Sequence, residues 1–205
     1  MRRGLKLIPD SYEEYVYLIG DKLQIYNDAG DGRTDRKKFY NRWLDNPEKQ
    51  FVERSTWISK LHDTARGNAV VVGVDDIVDA GYMNLLRQLS ILYVSDLDFR
   101  KEVNLIVLDA TGRRHNHRSR SSARRLSLLY VIEELALNLA TRKKFDVYDE
   151  YYLGPQLRLL LELFKGKYRW FLDEIGYTVD YRTDNVRFFS WTSGDMSSQW
   201  QEQRI

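Results

Sequence analysis

The sequence contains no cysteine and only three histidines. Without cysteine the chain cannot form a disulfide, use a thiolate nucleophile, or hold zinc or an iron–sulfur cluster through sulfur. Two of the histidines, His115 and His117, lie in an arginine-rich segment, where like charge opposes the binding of a cation. We therefore expect neither a metal nor a bound cofactor, and the lack of cysteine suits a cytoplasmic protein.

Long apolar runs are also missing. No stretch approaches the roughly 18–20 apolar residues that span a bilayer, and the N-terminal run at residues 5–8 is too short for a signal peptide. The phosphate-binding motifs G-x-x-x-x-G-K-[ST] and G-x-G-x-x-G and the hydrolase motif G-x-S-x-G are absent as well. These absences argue against a membrane protein, a nucleotide-cofactor enzyme and an α/β-hydrolase.

What is present is an aromatic-rich, nearly neutral chain. It contains 14 Tyr, and a tyrosine hydroxyl needs a hydrogen-bond partner when it is buried. The net charge is +2, so a surface that binds nucleic acid has to come from local clustering of basic residues.

Short β-branched or aromatic runs alternate with segments of helical periodicity. The predicted strands are 5–8, 22–26, 69–74, 145–148, 177–181 and 186–191, and the predicted helices are 35–43, 52–66, 82–94, 99–110, 126–140 and 154–166. This alternation predicts one α/β domain with a mainly parallel sheet over residues 1–192, followed by a polar tail at 193–205. Ligands of such sheets bind outside the carboxyl ends of the strands, where Asp75 and residues 148–150 fall.

The apolar helix at 126–140 contains a candidate reaction centre. Tyr130 and Glu134 are four residues apart, so they share a helix face and can touch, whereas Glu133 points elsewhere. A carboxyl in so apolar a helix needs a partner, or desolvation raises its pKa, and beside a phenol it is suited to proton transfer. The spacing alone leaves open an alternative in which Glu133 and Glu134 form a solvated stripe.

A second feature is the basic segment at residues 113–125, which holds six arginines and no acid. The planar guanidinium donates two parallel hydrogen bonds to phosphate, so the segment predicts contact with an RNA backbone. A solvated loop is the alternative. The predicted RNA-binding residues, with a weaker basic run upstream, are Arg113, Arg114, Arg118, Arg120, Arg124, Arg125, Arg36, Lys37 and Lys38.

The order of these features resembles the tRNA-dependent cyclodipeptide synthases, chiefly between Tyr82 and Tyr168. The family's Tyr-x-x-x-Glu helix matches residues 130–134, its strand with a pocket tyrosine matches Val147-Tyr148, and its Gly-aromatic pair matches Gly166-Lys-Tyr168. Upstream, the strand at 70–77, Tyr82 and Phe99 follow the family's order. The resemblance implies a Rossmann-like fold, similar to the catalytic domain of class I tyrosyl- and tryptophanyl-tRNA synthetases. It also implies that the amino acids of two aminoacyl-tRNAs are joined into a cyclic dipeptide.

The resemblance also implies roles for individual residues. Tyr130 and Glu134 would hold the aminoacyl ammonium group, Glu134 would help to move protons, and Tyr148 would complete the pocket. The family's nucleophile is a serine in a Gly-x-Ser-x-x-Asn segment, which is not recognisable here. Ser11 is the best candidate by position, and loss of the nucleophile is the alternative. Arginine-containing members of the family suggest that Asp146, Asp149 and Glu150 contact a cationic side chain. Asp75, at the ligand-binding edge of the sheet, is a further predicted substrate contact.

Two other functions remain open at this point. A protein on the same scaffold that lacks the nucleophile would bind tRNA or act as a regulator. An interaction protein would instead dock on a partner through Trp191, Trp200 and the polar tail.

Overall fold

The computed structural model describes residues 14–19, 23, 26, 52, 55, 56, 68–112, 120–145, 149–152, 156–177, 187–193 and 198–203. The strands are β1 (Glu14–Ile19), β2 (Asn68–Gly73), β3 (Asp149–Tyr152), β4 (Arg187–Ser193) and β5 (Ser198–Gln203). The helices are α1 (Val74–Ile77), α2 (Ala80–Ser95), α3 (Leu97–Gly112), α4 (Arg120–Phe145), α5 (Leu157–Phe164) and α6 (Arg169–Glu174). Over these residues the chain is α/β, as the alternating pattern predicted, and most of the described elements are helical.

The chain forms two compact units, and the predicted division into one domain and a tail stays a prediction. One unit contains β3, α5, α6, β4 and β5, together with β1 through Tyr17, β2 through Val71 and α4 from Thr141. The other unit contains α1, α2, α3 and the part of α4 that ends at Ala140. All of the candidate residues on α4 up to Asn138 belong to this second unit.

The strands form two sheets within the described ranges. In one, β1 pairs with β2. In the other, β3 pairs with β4 in parallel and β4 pairs with β5 antiparallel, with Trp191 opposite Trp200. This second sheet is mixed, in contrast to the mainly parallel sheet that was predicted. Within the segment predicted as a polar tail, Ser198–Gln203 form β5.

Several predicted strands are misplaced. The segment 22–26 is not a strand at its described positions, because Leu23 lies in a turn and the Tyr26 amide donates to the Leu23 carbonyl at 3.2 Å. Phe145 ends α4, and the strand expected at 145–148 begins at Asp149. Tyr177 is not in a strand, and the predicted strand at 5–8 lies outside the described residues.

Helices α2 and α3 match the helical periodicity closely. Asp79 caps α2 by accepting a hydrogen bond from the Tyr82 amide at 2.8 Å, and Leu85, Leu89 and Leu92 are buried at a spacing of three to four residues. In α3 the buried residues include Phe99 and Val103, again four apart. The two helices pack against each other within one unit, which buries these faces together.

Helix α4 has 26 residues and is buried on all sides over its central turns. Every residue of the last part of this stretch, 135–140, is buried, including Leu135, Ala136 and Leu139 at 0% exposure. A helix that is apolar around its whole circumference is expected in such a position. Polar side chains on α4 near this stretch therefore need specific partners.

The Gly166-aromatic pair has a packing role in the unit that contains α5. A side chain at Gly166 would overlap Glu162, whose carboxylate accepts from the Lys167 amide at 3.1 Å. The Tyr168 amide then donates to the Glu162 carbonyl at 3.0 Å, and Tyr168 is buried. The absence of a side chain at Gly166 thus permits the tight turn between α5 and α6.

Candidate active site

Tyr130 and Glu134 are in contact on α4. The Tyr130 hydroxyl donates to Oε1 of Glu134 at 3.3 Å, and both side chains are half-buried. One turn further on, the Asn138 side-chain amide donates to the backbone carbonyl of Glu134 at 2.9 Å. The predicted contact is present because residues four apart on a helix share a face. The catalytic role of the pair stays a prediction.

Glu133, the adjacent residue, has a partner from a distant part of the chain. The Tyr26 hydroxyl donates to Oε1 of Glu133 at 2.5 Å, across 107 positions of sequence. Tyr82 on α2 is buried and lies close enough for the two groups to interact electrostatically. Neither glutamate is fully exposed, so a solvated stripe of Glu133 and Glu134 is not observed.

The titration of this cluster is dominated by burial. Burial raises the pKa of the Glu133 carboxyl above its ordinary value of 4.5, and the hydrogen bond from Tyr26 offsets part of that increase. Burial, the hydrogen bond to Glu133 and the charge of Glu133 raise the pKa of Tyr26 well above its usual value. Burial, followed by the charge of Glu133, raises the pKa of Tyr82 to about 12. Both phenols therefore stay protonated near neutral pH and act as hydrogen-bond donors.

The sequence did not identify Glu133 or Tyr26 as site residues. Tyr26 was assigned to a strand, and Glu133 was noted only as facing away from Tyr130. One signal was available: the positions three and four residues from Glu133 are Leu129, Tyr130, Ala136 and Leu137, so no cation on the helix can pair with it. That signal shows that a distant partner is needed, but it cannot name Tyr26.

The basic segment is described only at its carboxyl end. Arg120 begins α4, and Arg124 and Arg125 are exposed on its first turns. Exposure is what a phosphate contact requires, and a solvated helix start would show the same exposure. The other predicted RNA-binding residues lie outside the described residues, namely Arg113, Arg114, Arg118, Arg36, Lys37 and Lys38.

The remaining predicted site residues are only partly described. Ser11, Asp146 and Tyr148 lie outside the described residues, and Ser11 precedes β1 in the sequence. Asp149 and Glu150 lie within β3, opposite Arg187 and Phe188 of β4, whereas the sequence predicted them just beyond the carboxyl end of a strand at 145–148.

Asp75 follows β2 directly, on α1, and is exposed. Its neighbour Asp76 accepts from the Gly73 amide at 2.7 Å and so closes the start of that helix. The position of Asp75 at the carboxyl end of a strand agrees with the prediction, and its contact with substrate stays a prediction.

Neither a membrane-spanning helix nor a metal-binding group is seen in the described ranges. No helix there is both long and apolar enough to cross a membrane. No group of three or more His, Asp or Glu side chains in the same ranges is arranged to hold a metal ion.

Comparison with known proteins finds a solved structure with a similar fold. No protein-family model matches the sequence, and no curated protein matches it. Among solved structures, that of a CDPS, or cyclodipeptide synthase, from Fluoribacter dumoffii is similar, with a TM-score of 0.59 and 18% sequence identity. The match covers 73% of this chain and 67% of that chain. The likeness predicted from the ordered motifs is therefore confirmed for the fold, and this chain folds like a distant cyclodipeptide synthase.

Proposed function

We propose that the protein is a cyclodipeptide synthase that uses aminoacyl-tRNA and works through an aminoacyl-enzyme intermediate. The observation that supports this proposal most is the contact of Tyr130 with Glu134 on α4, in a chain that folds like such an enzyme. We also propose that the sheet is Rossmann-like and that the protein is cytoplasmic, since charged tRNA is found in the cytoplasm.

The chemistry needs a carboxylate beside an aminoacyl ammonium group. Glu134 would pair with that ammonium, and the Tyr130 hydroxyl would fix the orientation of the carboxylate through the hydrogen bond to Oε1. The amine must lose a proton before it attacks an ester carbonyl, and Glu134 is placed to accept that proton. A new C–N bond then forms, the ester C–O bond breaks, and the departing oxygen takes up a proton.

The first aminoacyl transfer requires a nucleophilic hydroxyl. Ser11 remains the proposed nucleophile, with Tyr148 completing the pocket. Asp75, Asp146, Asp149 and Glu150 are the proposed contacts for a cationic part of the substrate.

Product analysis tests the enzyme directly. The chain is expressed in a bacterial host, and cyclic dipeptides in the medium are measured by mass spectrometry. Because proton transfer by a positioned group contributes about 10²–10⁴-fold, we expect Glu134→Gln to lower the product at least 100-fold. Glu174→Gln removes one exposed carboxylate from α6 and should leave the yield unchanged. No product from the wild type, or equal product from Glu134→Gln, would contradict the proposal.

One observation favours a second candidate, a tRNA-binding or regulatory protein without the nucleophile. The segment that follows β1, residues 20–26, contains no Ser or Thr, and its first side-chain hydroxyl is the phenol of Tyr26. This candidate predicts binding of tRNA without formation of a cyclic dipeptide. A nitrocellulose filter assay at several salt concentrations measures the binding, since phosphate contacts release counterions.

The exposed arginines of α4 provide the variant for that assay. Replacing both Arg124 and Arg125 with Gln should lower the slope of log K against log salt by up to about 2 units, roughly one for each lost phosphate contact. A binding constant that does not change with salt would reject tRNA binding through the basic segment, for either candidate function.

A further inference from the structure

Glu133 carries a half-buried carboxylate that the proposed reaction at Glu134 does not use. Successive residues of an α-helix point about 100° apart, so Glu133 faces different surroundings from Glu134. Those surroundings include two phenols, the half-buried Tyr26 and the buried Tyr82. All three residues belong to the same compact unit.

The partners of Glu133 are neutral. The Tyr26 hydroxyl donates one hydrogen bond to Oε1, at 2.5 Å. The charge of the Glu133 carboxylate raises the pKa of Tyr82, so the two side chains lie near each other. Over the described ranges no Lys, Arg or His side chain contacts Glu133. The exposed basic residues of the same helix lie more than two turns away, namely Arg124, Arg125, Lys143 and Lys144.

Among the residues that the structure describes, none places a compensating positive charge beside this carboxylate. Removing an anion from water is costly unless it is paired, and a single hydrogen bond from a phenol offsets only part of that cost. The direction of the Glu133 pKa, which burial raises, agrees with this account. The side chain is half-buried, so it is not fully enclosed by the protein.

We propose that Glu133, together with Tyr26 and Tyr82, binds the ammonium or guanidinium group of an organic ligand. The cation forms a charge-assisted hydrogen bond with the carboxylate, which favours a cation over a neutral group. Tyr26 holds the carboxylate in place through its hydroxyl. The site is separate from the proposed site at Glu134 and requires neither tRNA nor aminoacyl transfer.

Other ligand classes fit these residues less well. An anion would meet the carboxylate and be repelled. A divalent metal ion would need further carboxylate or imidazole ligands, and no such group of three occurs in the described part of the chain. An organic cation needs one carboxylate that is held in place, which Glu133 and the Tyr26 hydroxyl supply.

The test compares two probes of the same size, n-butylguanidinium and its neutral isostere n-butylurea, at constant ionic strength. Both are titrated into the full-length wild-type protein, and binding is followed through the chemical shifts of the tyrosine ring protons. We expect n-butylguanidinium to bind at least about tenfold more tightly than n-butylurea, a difference that one charge-assisted hydrogen bond supplies. Equal affinity of the wild type for the two probes would overturn the proposal without any variant.

Three variants locate the site. Glu133→Gln keeps the shape of the side chain and an acceptor for Tyr26, and it should remove the preference for the guanidinium that is measured through the ring protons of Tyr26 and Tyr82. Glu174→Gln, the charge-matched control on α6, should keep it. Glu134→Gln should also keep it. Loss of the preference in Glu134→Gln with retention in Glu133→Gln would place the cation at the proposed active site instead and overturn this inference. Because no tRNA is used, failure of the proposed aminoacyl transfer would leave the result of this test unaffected.

Discussion

Glu133 and Glu134 are neighbours in the sequence and differ in what surrounds them. Glu134 contacts Tyr130 from its own helix, whereas Glu133 contacts Tyr26 from a distant segment. Adjacent acids with different environments can take different roles, since the environment decides which form of each acid is favoured. A substitution at either position therefore tests one environment at a time.

The pKa of Glu133 leads to a prediction about stability. Burial places its folded-state pKa above the ordinary value of 4.5, so the folded protein binds this proton more tightly than the unfolded chain does. The stability that the protonated Glu133 carboxyl contributes is fully present below pH 4.5, and it is lost as the pH rises through the folded-state pKa. Glu133→Gln cannot ionise, so we expect it to gain stability relative to the wild type between pH 4 and pH 7. The gain should be no more than about 1 kcal/mol, because the side chain is half exposed and screened by solvent.

Urea denaturation at pH 4 and pH 7 measures this difference. The control is Glu174→Gln, whose carboxylate is exposed, and its stability relative to the wild type should not change between the two pH values. If Glu133→Gln is less stable relative to the wild type at pH 7 than at pH 4, then the carboxylate is favoured by its surroundings and the argument from burial is wrong.

At the scale of the element, one residue joins two helices. The Asp96 amide donates to the Leu92 carbonyl at 2.8 Å and closes the last turn of α2. Its side-chain Oδ1 accepts from the Phe99 amide, also at 2.8 Å, and satisfies a donor in the first turn of α3. Because Phe99 is fully buried, this cap also fixes a core residue.

We expect Asp96→Ala to lower the free energy of unfolding by about 1 kcal/mol, the usual cost of losing an N-cap side chain. Asp96→Asn keeps an oxygen acceptor at the same position and should retain most of that stability. Urea midpoints of the two variants make the comparison. An equal loss in both would mean that the charge of Asp96 matters and not the capping hydrogen bond.

The long helices could be predicted from the sequence, and most strand positions could not. Helices α2, α3 and α4 repeat apolar residues over three or more turns, so their pattern is clear without knowledge of their neighbours. Short strands depend on pairing with distant segments. The aromatic and β-branched run Tyr15-Val-Tyr-Leu-Ile19 indicates β1 in hindsight, and Tyr15 and Tyr17 do stack on one face with ring centroids 6.5 Å apart.

At the candidate site, too, one contact could be predicted from the sequence and the other could not. The Tyr130–Glu134 contact follows from helix geometry alone, and the sequence predicted it. The Tyr26–Glu133 contact joins residues 107 positions apart, and five residues of alternating polarity around Tyr26 looked like a strand. A tertiary contact of this kind overrides local pattern, so no reading of the segment 22–26 by itself could have placed Tyr26 beside α4.

For the whole molecule, the order of the motifs carried more information than any one of them. A Tyr-x-x-x-Glu spacing is common by chance, yet the ordered set led to the fold that the solved synthase structure shares at a TM-score of 0.59. Sequence order did not reveal that the chain leaves the unit containing α5 and α6 and re-enters it, so that β1 through Tyr17, β2 through Val71 and the described elements from Thr141 onward belong together.

Deleting the C-terminal strand β5 tests whether this segment completes the second sheet of the molecule. Deleting residues 194–205 removes β5 and leaves the hydrogen-bonding groups of one side of β4 without their partners in this sheet. Strand β4 is rich in aromatic residues, including Phe188, Phe189 and Trp191, and an unpaired strand of this composition promotes aggregation. We expect this truncation to increase light scattering and lower solubility. The matched control deletes only residues 204 and 205, which follow β5, and should behave like the wild type. If the segment were instead a polar tail, as its composition suggested, the two truncations would scatter light equally.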